Sequence, residues 1–127
     1  MQPFPGKTPL FFAQIETLDS VNAVEAIAAV DGVDVLFVGP ADLQFDLQAR
    51  GQASVDYETC LQQVVAAAAK TGKQCGILCR DAADLEKLLG YGFGWIAVDS
   101  DLGLLRAGYQ RWIRQARDIS TGQAPRT

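Results

Sequence analysis

The chain has 127 residues, 49% of them apolar and 20% charged, with 11 basic and 15 acidic side chains and a net charge of -4. That is enough for one domain with a packed core, and it excludes general disorder. An acidic balance without a clustered cationic face argues against nucleic-acid binding. No histidine occurs anywhere. No Ser-His-Asp triad, Cys-His dyad or imidazole-ligated metal can therefore be built from this chain alone. A bound metal would need carboxylates, amide oxygens or thiolates. The three cysteines, Cys60, Cys75 and Cys79, form no C-x-x-C pair and read as reduced core residues, which favours a cytoplasmic setting. No signal peptide and no apolar run long enough for a membrane span is visible.

Taken in chain order, the residues up to Lys7 read as an entry loop, and Leu10 to Glu16 as a short buried strand. Ser20 to Val30 follows as a helix, with Val21, Val24, Ile27 and Ala28 on one face, Asp19 or Ser20 as the cap, and Gly32 closing it. Val33 to Val38 is the second strand, continued by Gly39-Pro40-Ala41-Asp42-Leu43 and a polar loop to about Val55. Tyr57 to Thr71 is a helix ended by Gly72. Gln74 to Leu78 is a strand, Asp81 to Leu89 a helix with Gly90 past it, and Trp95 to Val98 the fourth strand. Ser100 caps a last helix from Asp101 to about Ile119, and residues 120–127 form a polar tail.

Strands alternating with helices predict an α/β fold: four βα units around a parallel sheet, as a single domain with its core at about residues 10–118. A small doubly wound sheet and half of a (β/α)8 barrel both satisfy that order. In either, ligands bind at the carboxyl ends of the strands. Those ends here carry Gln14 and Glu16, then Asp42, then Cys79 and Arg80, then Asp99, Ser100 and Asp101.

Glu16 and Asp42 end successive parallel strands, which lie about 4.8 Å apart. Two carboxylates without imidazole suit Mg²⁺ or Mn²⁺ completed by water. The other reading is that either acid only caps the N-terminus of the helix that follows it. The Gly39-Pro40-Ala41-Asp42 turn has little bulk, so the Ala41 and Asp42 amides could approach an anion; an ordinary tight turn is the other reading. Arg106, Arg111, Arg114 and Arg117 read as a solvated face of the last helix, and Tyr109, Trp112 and Ile113 as packing residues, at a buried or intersubunit contact.

Gln14-Ile15-Glu16-Thr17 and Gly39-Pro40-Ala41-Asp42-Leu43 together resemble the Q-x-E and GPxDL signatures of the HpcH/HpaI aldolase family of metal-dependent pyruvate aldolases. Lys73 to Leu78 and Ser100 to Leu105 resemble the family's last two strand regions, and the likeness extends over about residues 10–118. The resemblance implies the C-terminal half of a (β/α)8 barrel. It implies Glu16 and Asp42 as ligands of Mg²⁺ or Mn²⁺ (Co²⁺ as a substitute). Gln14 would stand beside pyruvate, Gly39, Pro40, Ala41 and Asp42 would hold its carboxylate, and Leu78 would also line the substrate site. It implies a small 2-oxo acid as substrate, and a homo-oligomer or a partner first-half chain. The family's general-base histidine and an active-site arginine belong to the barrel's other half. Gln44 stands where serine is usual, and Asp99 where glycine is usual. The resulting expectation is a carbon–carbon lyase domain, incomplete alone. The alternatives are a non-catalytic keto-acid or cation-binding or assembly module, and an unrelated small flavodoxin-like domain, which the lack of a Gly-rich loop after the first strand disfavours.

Overall fold

The computed structural model describes residues 9–51 and 56–122, so the expected entry loop and the end of the tail lie outside the described residues. Four strands, β1 (Phe12–Ile15), β2 (Val35–Val38), β3 (Gln74–Cys79) and β4 (Trp95–Val98), form one sheet in the order β1-β2-β3-β4. The β1–β2 and β2–β3 pairs are parallel, with Gln14 opposite Phe37 and Phe37 opposite Gly76. Six α-helices follow the strands: α1 (Leu18–Asn22), α2 (Val24–Ala28), α3 (Pro40–Ala49), α4 (Tyr57–Thr71), α5 (Leu85–Tyr91) and α6 (Asp101–Ser120). The chain divides into two compact units, Met1–Ala97 and Val98–Thr127.

In the first unit, strand alternation decides which side chains are buried. Ile15, Leu36, Val38, Cys75, Ile77 and Cys79 point to the helices and join Leu43, Cys60, Leu61, Val64 and Ala68 in the core. The helix α4 supplies much of that layer, with Cys60, Leu61, Val64, Ala67 and Ala68 buried at helical spacing. Gly72 ends it at φ +68°, where its amide and that of Lys73 collect the last carbonyls. All three cysteines are buried thiols, as expected; burial pushes the Cys60 and Cys75 thiols up.

The opposite face of the sheet carries Phe12, Phe37 and Trp95. Phe12 meets Phe37 at 6.1 Å between ring centroids and Trp95 edge-on at 5.3 Å. Phe12 and Trp95 stand on the two outer strands, so their contact requires a strongly curled sheet. Gly76 lies between them. A Cβ there would come within 2.7 Å of the Phe37 ring and 2.8 Å of Trp95 Cβ.

Three expectations are corrected. The helix expected over Ser20–Val30 is two five-residue pieces, α1 and α2, bent at Ala23. Ala23 N donates to Asp19 O and Ala23 O accepts from Ile27 N, so the junction residue is bonded into both pieces. The cap is Thr17, whose hydroxyl accepts from Ser20 N while Ser20 Oγ accepts from Thr17 N. The stretch read as a polar loop contains α3, which Pro40 starts at its first position. Its Leu43 and Leu47 are the only buried residues among charged and amide neighbours, too sparse a stripe to read as helical. The helix expected at Asp81 begins as a 3₁₀ turn (Ala82–Asp84) and runs on to Tyr91. Gly92 at φ +106°, not Gly90, closes it.

In the second unit, Ser100 caps α6 as expected, its hydroxyl accepting from Gly103 N at 3.1 Å. Asp99 adopts φ +45°, the left-handed region that glycine tolerates best. No residue of α6 is buried, and Leu102, Leu105, Tyr109, Trp112 and Ile113 are all exposed. Tyr109, Trp112 and Ile113, expected as packing residues at a buried or intersubunit contact, are exposed among the described residues.

Candidate functional site

The loop after β1 is fixed by a small network. Ser20 Oγ accepts from the amides of Glu16 (3.2 Å) and Thr17 (3.1 Å) and donates to Thr17 O at 2.7 Å. The backbone of Glu16 is thereby pinned to the first turn of α1. On the next strand, Gly39 N donates to Ile15 O at 3.1 Å, which carries the β1–β2 ladder one residue beyond β2. By alternation Glu16, Gly39 and Leu78 then fall on the same face as Gln14 and Phe37, in the layer at the strands' carboxyl ends.

Gly39 is buried, and its missing side chain makes the room that the carboxylates use. A Cβ at that position would stand 3.0 Å from Glu16 Oε2, 3.1 Å from Glu16 Cβ and 3.9 Å from Asp42 Oδ2. Both carboxylates thus converge on the one Cα that leaves space between them. Glu16 is half-buried, and Asp42 is exposed in the first turn of α3. Two hard oxygen donors around an open space match what a water-rich Mg²⁺ or Mn²⁺ site takes from protein. Among the described residues no group of three or more potential metal-ligating side chains occurs. Glu16 and Asp42 therefore offer at most two side-chain carboxylates to a cation at this point.

Next to it, Pro40 brings no donor, and the Ala41 and Asp42 amides lie in the first turn of α3, whose N–H groups have no partner within the helix. Gln14 is exposed on the same face as Glu16. A cavity of about 370 Å³ adjoins the turn. Pro40, Ala41 and Leu78 line it, as do Gln44, Tyr57 and Arg80. Gly39, Pro40, Ala41, Asp42, Glu16 and Leu78 are thus brought together at one sheet end.

Sequence reasoning missed the brace beneath this site. Asp46 Oδ2 accepts from Leu18 N at 2.8 Å, at the start of α1, and from Arg50 Nε at 2.9 Å. Arg50 also grips both oxygens of Asp19, at 3.0 and 2.7 Å. That guanidinium, by hydrogen bonding first and by charge second, holds the Asp19 carboxyl below the usual range. Through these contacts α3, which carries Asp42, is tied to α1, which follows Glu16. The available signal was the i, i+4 spacing of Asp46 and Arg50, which marks a helix face.

The family model described as HpcH/HpaI aldolase/citrate lyase matches residues 5–107. The 5-keto-4-deoxy-D-glucarate aldolase of Salmonella arizonae is 43% identical over 107 residues, covering 84% of this chain and 42% of that protein. An HpcH/HpaI aldolase/citrate lyase family protein from Burkholderia cenocepacia superposes with a TM-score of 0.77 at 35% identity, over 85% of this chain and 42% of the other. The HpcH/HpaI aldolase from Desulfitobacterium hafniense gives 0.74 at 28% identity, over 86% of this chain and 43% of its own. The chain spans less than half the length of these relatives, and its curled four-stranded parallel sheet resembles the C-terminal half of a (β/α)8 barrel. With the family model matched across most of its length, the chain belongs to the HpcH/HpaI aldolase/citrate lyase family.

Proposed function

We propose that this chain, as one partial aldolase-type domain, forms the metal- and pyruvate-holding part of a carbon–carbon lyase that cleaves 4-hydroxy-2-oxo acids to pyruvate and an aldehyde. The observation that carries the reading is the convergence of Glu16 and Asp42 on Gly39. Glu16 and Asp42 hold Mg²⁺ or Mn²⁺. The cation supplies Lewis acidity to a 2-oxo acid bound beside it. The amides of Ala41 and Asp42, at a helix start, receive the carboxylate of the 2-oxo acid. Gln14 donates from the same face as Glu16, and Leu78, on that face of β3, lines the site. Gly39 keeps the space open.

The 127 residues include no histidine, so no imidazole of this chain moves the proton. A positioned base is worth about 10²–10⁴ in rate. The purified chain is therefore expected to exchange the methyl protons of pyruvate slowly with Mn²⁺ present, and not to cleave 4-hydroxy-2-oxo acids efficiently. Calorimetric titration with Mn²⁺, with and without pyruvate, tests the reading. Wild type should bind, pyruvate should tighten binding, and Glu16→Gln should abolish both effects. Identical titrations of the two proteins overturn the assignment.

A further inference from the structure

We propose that the cavity beside the Gly39–Asp42 turn is a second ligand site, which takes a free α-amino acid with an apolar side chain, its carboxylate on Arg80 and its ammonium on Asp84. The cavity encloses about 370 Å³, the size of a small-molecule pocket. Ile77 and Cys79 line it, and both point into the helix layer. The space therefore opens among α3, α4 and α5, on the other side of the sheet from Glu16 and Gly39. The proposal goes beyond the 2-oxo acid reading and does not rest on it.

Charge selects the ligand. Four charged side chains line the cavity: Glu58, Arg80, Asp84 and Lys87. Glu58 and Lys87 pair with each other, and the Tyr91 hydroxyl donates to the second Glu58 oxygen at 3.0 Å. Arg80 and Asp84 are exposed, and neither takes part in an ion pair among the described residues. One cation and one anion are thus left, too far apart to neutralise each other. The Asp84 charge reaches into the cavity: burial first, then that charge, pushes the half-buried Tyr57 phenol up to about 12. A simple anion gains from Arg80 but is repelled by Asp84, and a simple amine meets the converse. A zwitterion, with both charges on one carbon, gains from both groups. Beneath the charged rim, Leu61, Ile77 and Leu88 are buried and form an apolar floor that matches an aliphatic side chain.

The test is an amide-resolved NMR titration of the whole chain, without metal, using L-leucine as probe. Two comparators keep its carbon skeleton and remove one charge each: 4-methylpentanoate lacks the ammonium, and 3-methylbutylamine lacks the carboxylate. L-leucine should shift the amides of Tyr57–Leu61 and Ile77–Leu88, and each comparator should bind about ten-fold more weakly. Arg80→Gln should weaken L-leucine about ten-fold and leave 3-methylbutylamine no weaker. Asp84→Asn should weaken L-leucine to a similar degree and leave 4-methylpentanoate no weaker. Both substitutions change exposed side chains, and Asp84 makes no capping hydrogen bond, so the fold is kept. Absent shifts, shifts centred elsewhere, a comparator that binds as well as L-leucine, or either variant binding L-leucine unchanged overturns the proposal. The Mn²⁺ titration reports on the carboxylate pair alone, so the failure of one leaves the other standing.

Discussion

At the scale of single residues, one glycine and one serine set the space around the two carboxylates. Gly39 leaves the gap between Glu16 and Asp42, and any side chain there competes with whatever those carboxylates hold. Gly39→Ala should weaken Mn²⁺ binding at least ten-fold, with a stability loss of about 1–3 kcal/mol from crowding Glu16; calorimetry and denaturant titration separate the two effects. Gly90 provides the contrast. It sits inside α5 with nothing within 4 Å of an added Cβ, so Gly90→Ala should stabilise the chain by about 0.5–1 kcal/mol and leave Mn²⁺ binding unchanged. Gly76 is the opposite case, since its Cβ would strike the Phe37 ring and Trp95. The Ser20 hydroxyl holds the amide after β1 in place, a contact that position along the chain did not reveal.

Elements explain what was legible and what was not. The strands and α4 could be read because apolar side chains crowd at the spacing of each, and Gly72 marks the stop. The family resemblance marked the position after β4 as one where glycine is usual, and Asp99 there adopts a left-handed φ of 45°. The helix α3 was not legible, because its two buried leucines are scattered among residues that serve the site and the brace. The same brace makes a prediction. Asp46→Ala removes the acceptor of Leu18 N and one partner of Arg50, so it should loosen α3 against α1 and lower Mn²⁺ affinity, as calorimetric titration would record, although Asp46 is not one of the two proposed ligands. A second clamp joins α4 to α5. Hydrogen bonds from Lys87, then from Tyr91, hold the Glu58 carboxyl below its usual 4.5. A depressed carboxylate adds stability above that pH and loses it as pH falls through the folded value. Melting temperature should therefore drop more steeply below pH 4.5 in wild type than in Lys87→Met, as thermal scans from pH 7 to 3 would record; parallel curves would contradict the clamp.

On the scale of the whole molecule, β1 and β4 are the outer strands of the sheet among the described residues, and α6 displays a long exposed apolar stripe. Unpaired edges and exposed apolar surface favour association. The chain should form a dimer or larger assembly at micromolar concentration by light scattering, and Trp112→Asp should reduce it; a monodisperse wild-type monomer would contradict this. On the proposed reading, a chain spanning less than half the length of these relatives keeps a metal and 2-oxo acid site at the carboxyl end of its sheet. Paramagnetic broadening by Mn²⁺ tests it most directly. With pyruvate present, trace Mn²⁺ should erase the amide resonances of Gln14–Thr17 and Gly39–Leu43 first, and the Glu16→Gln, Asp42→Asn double variant should keep them. Broadening centred elsewhere, or unchanged in the double variant, would contradict the account.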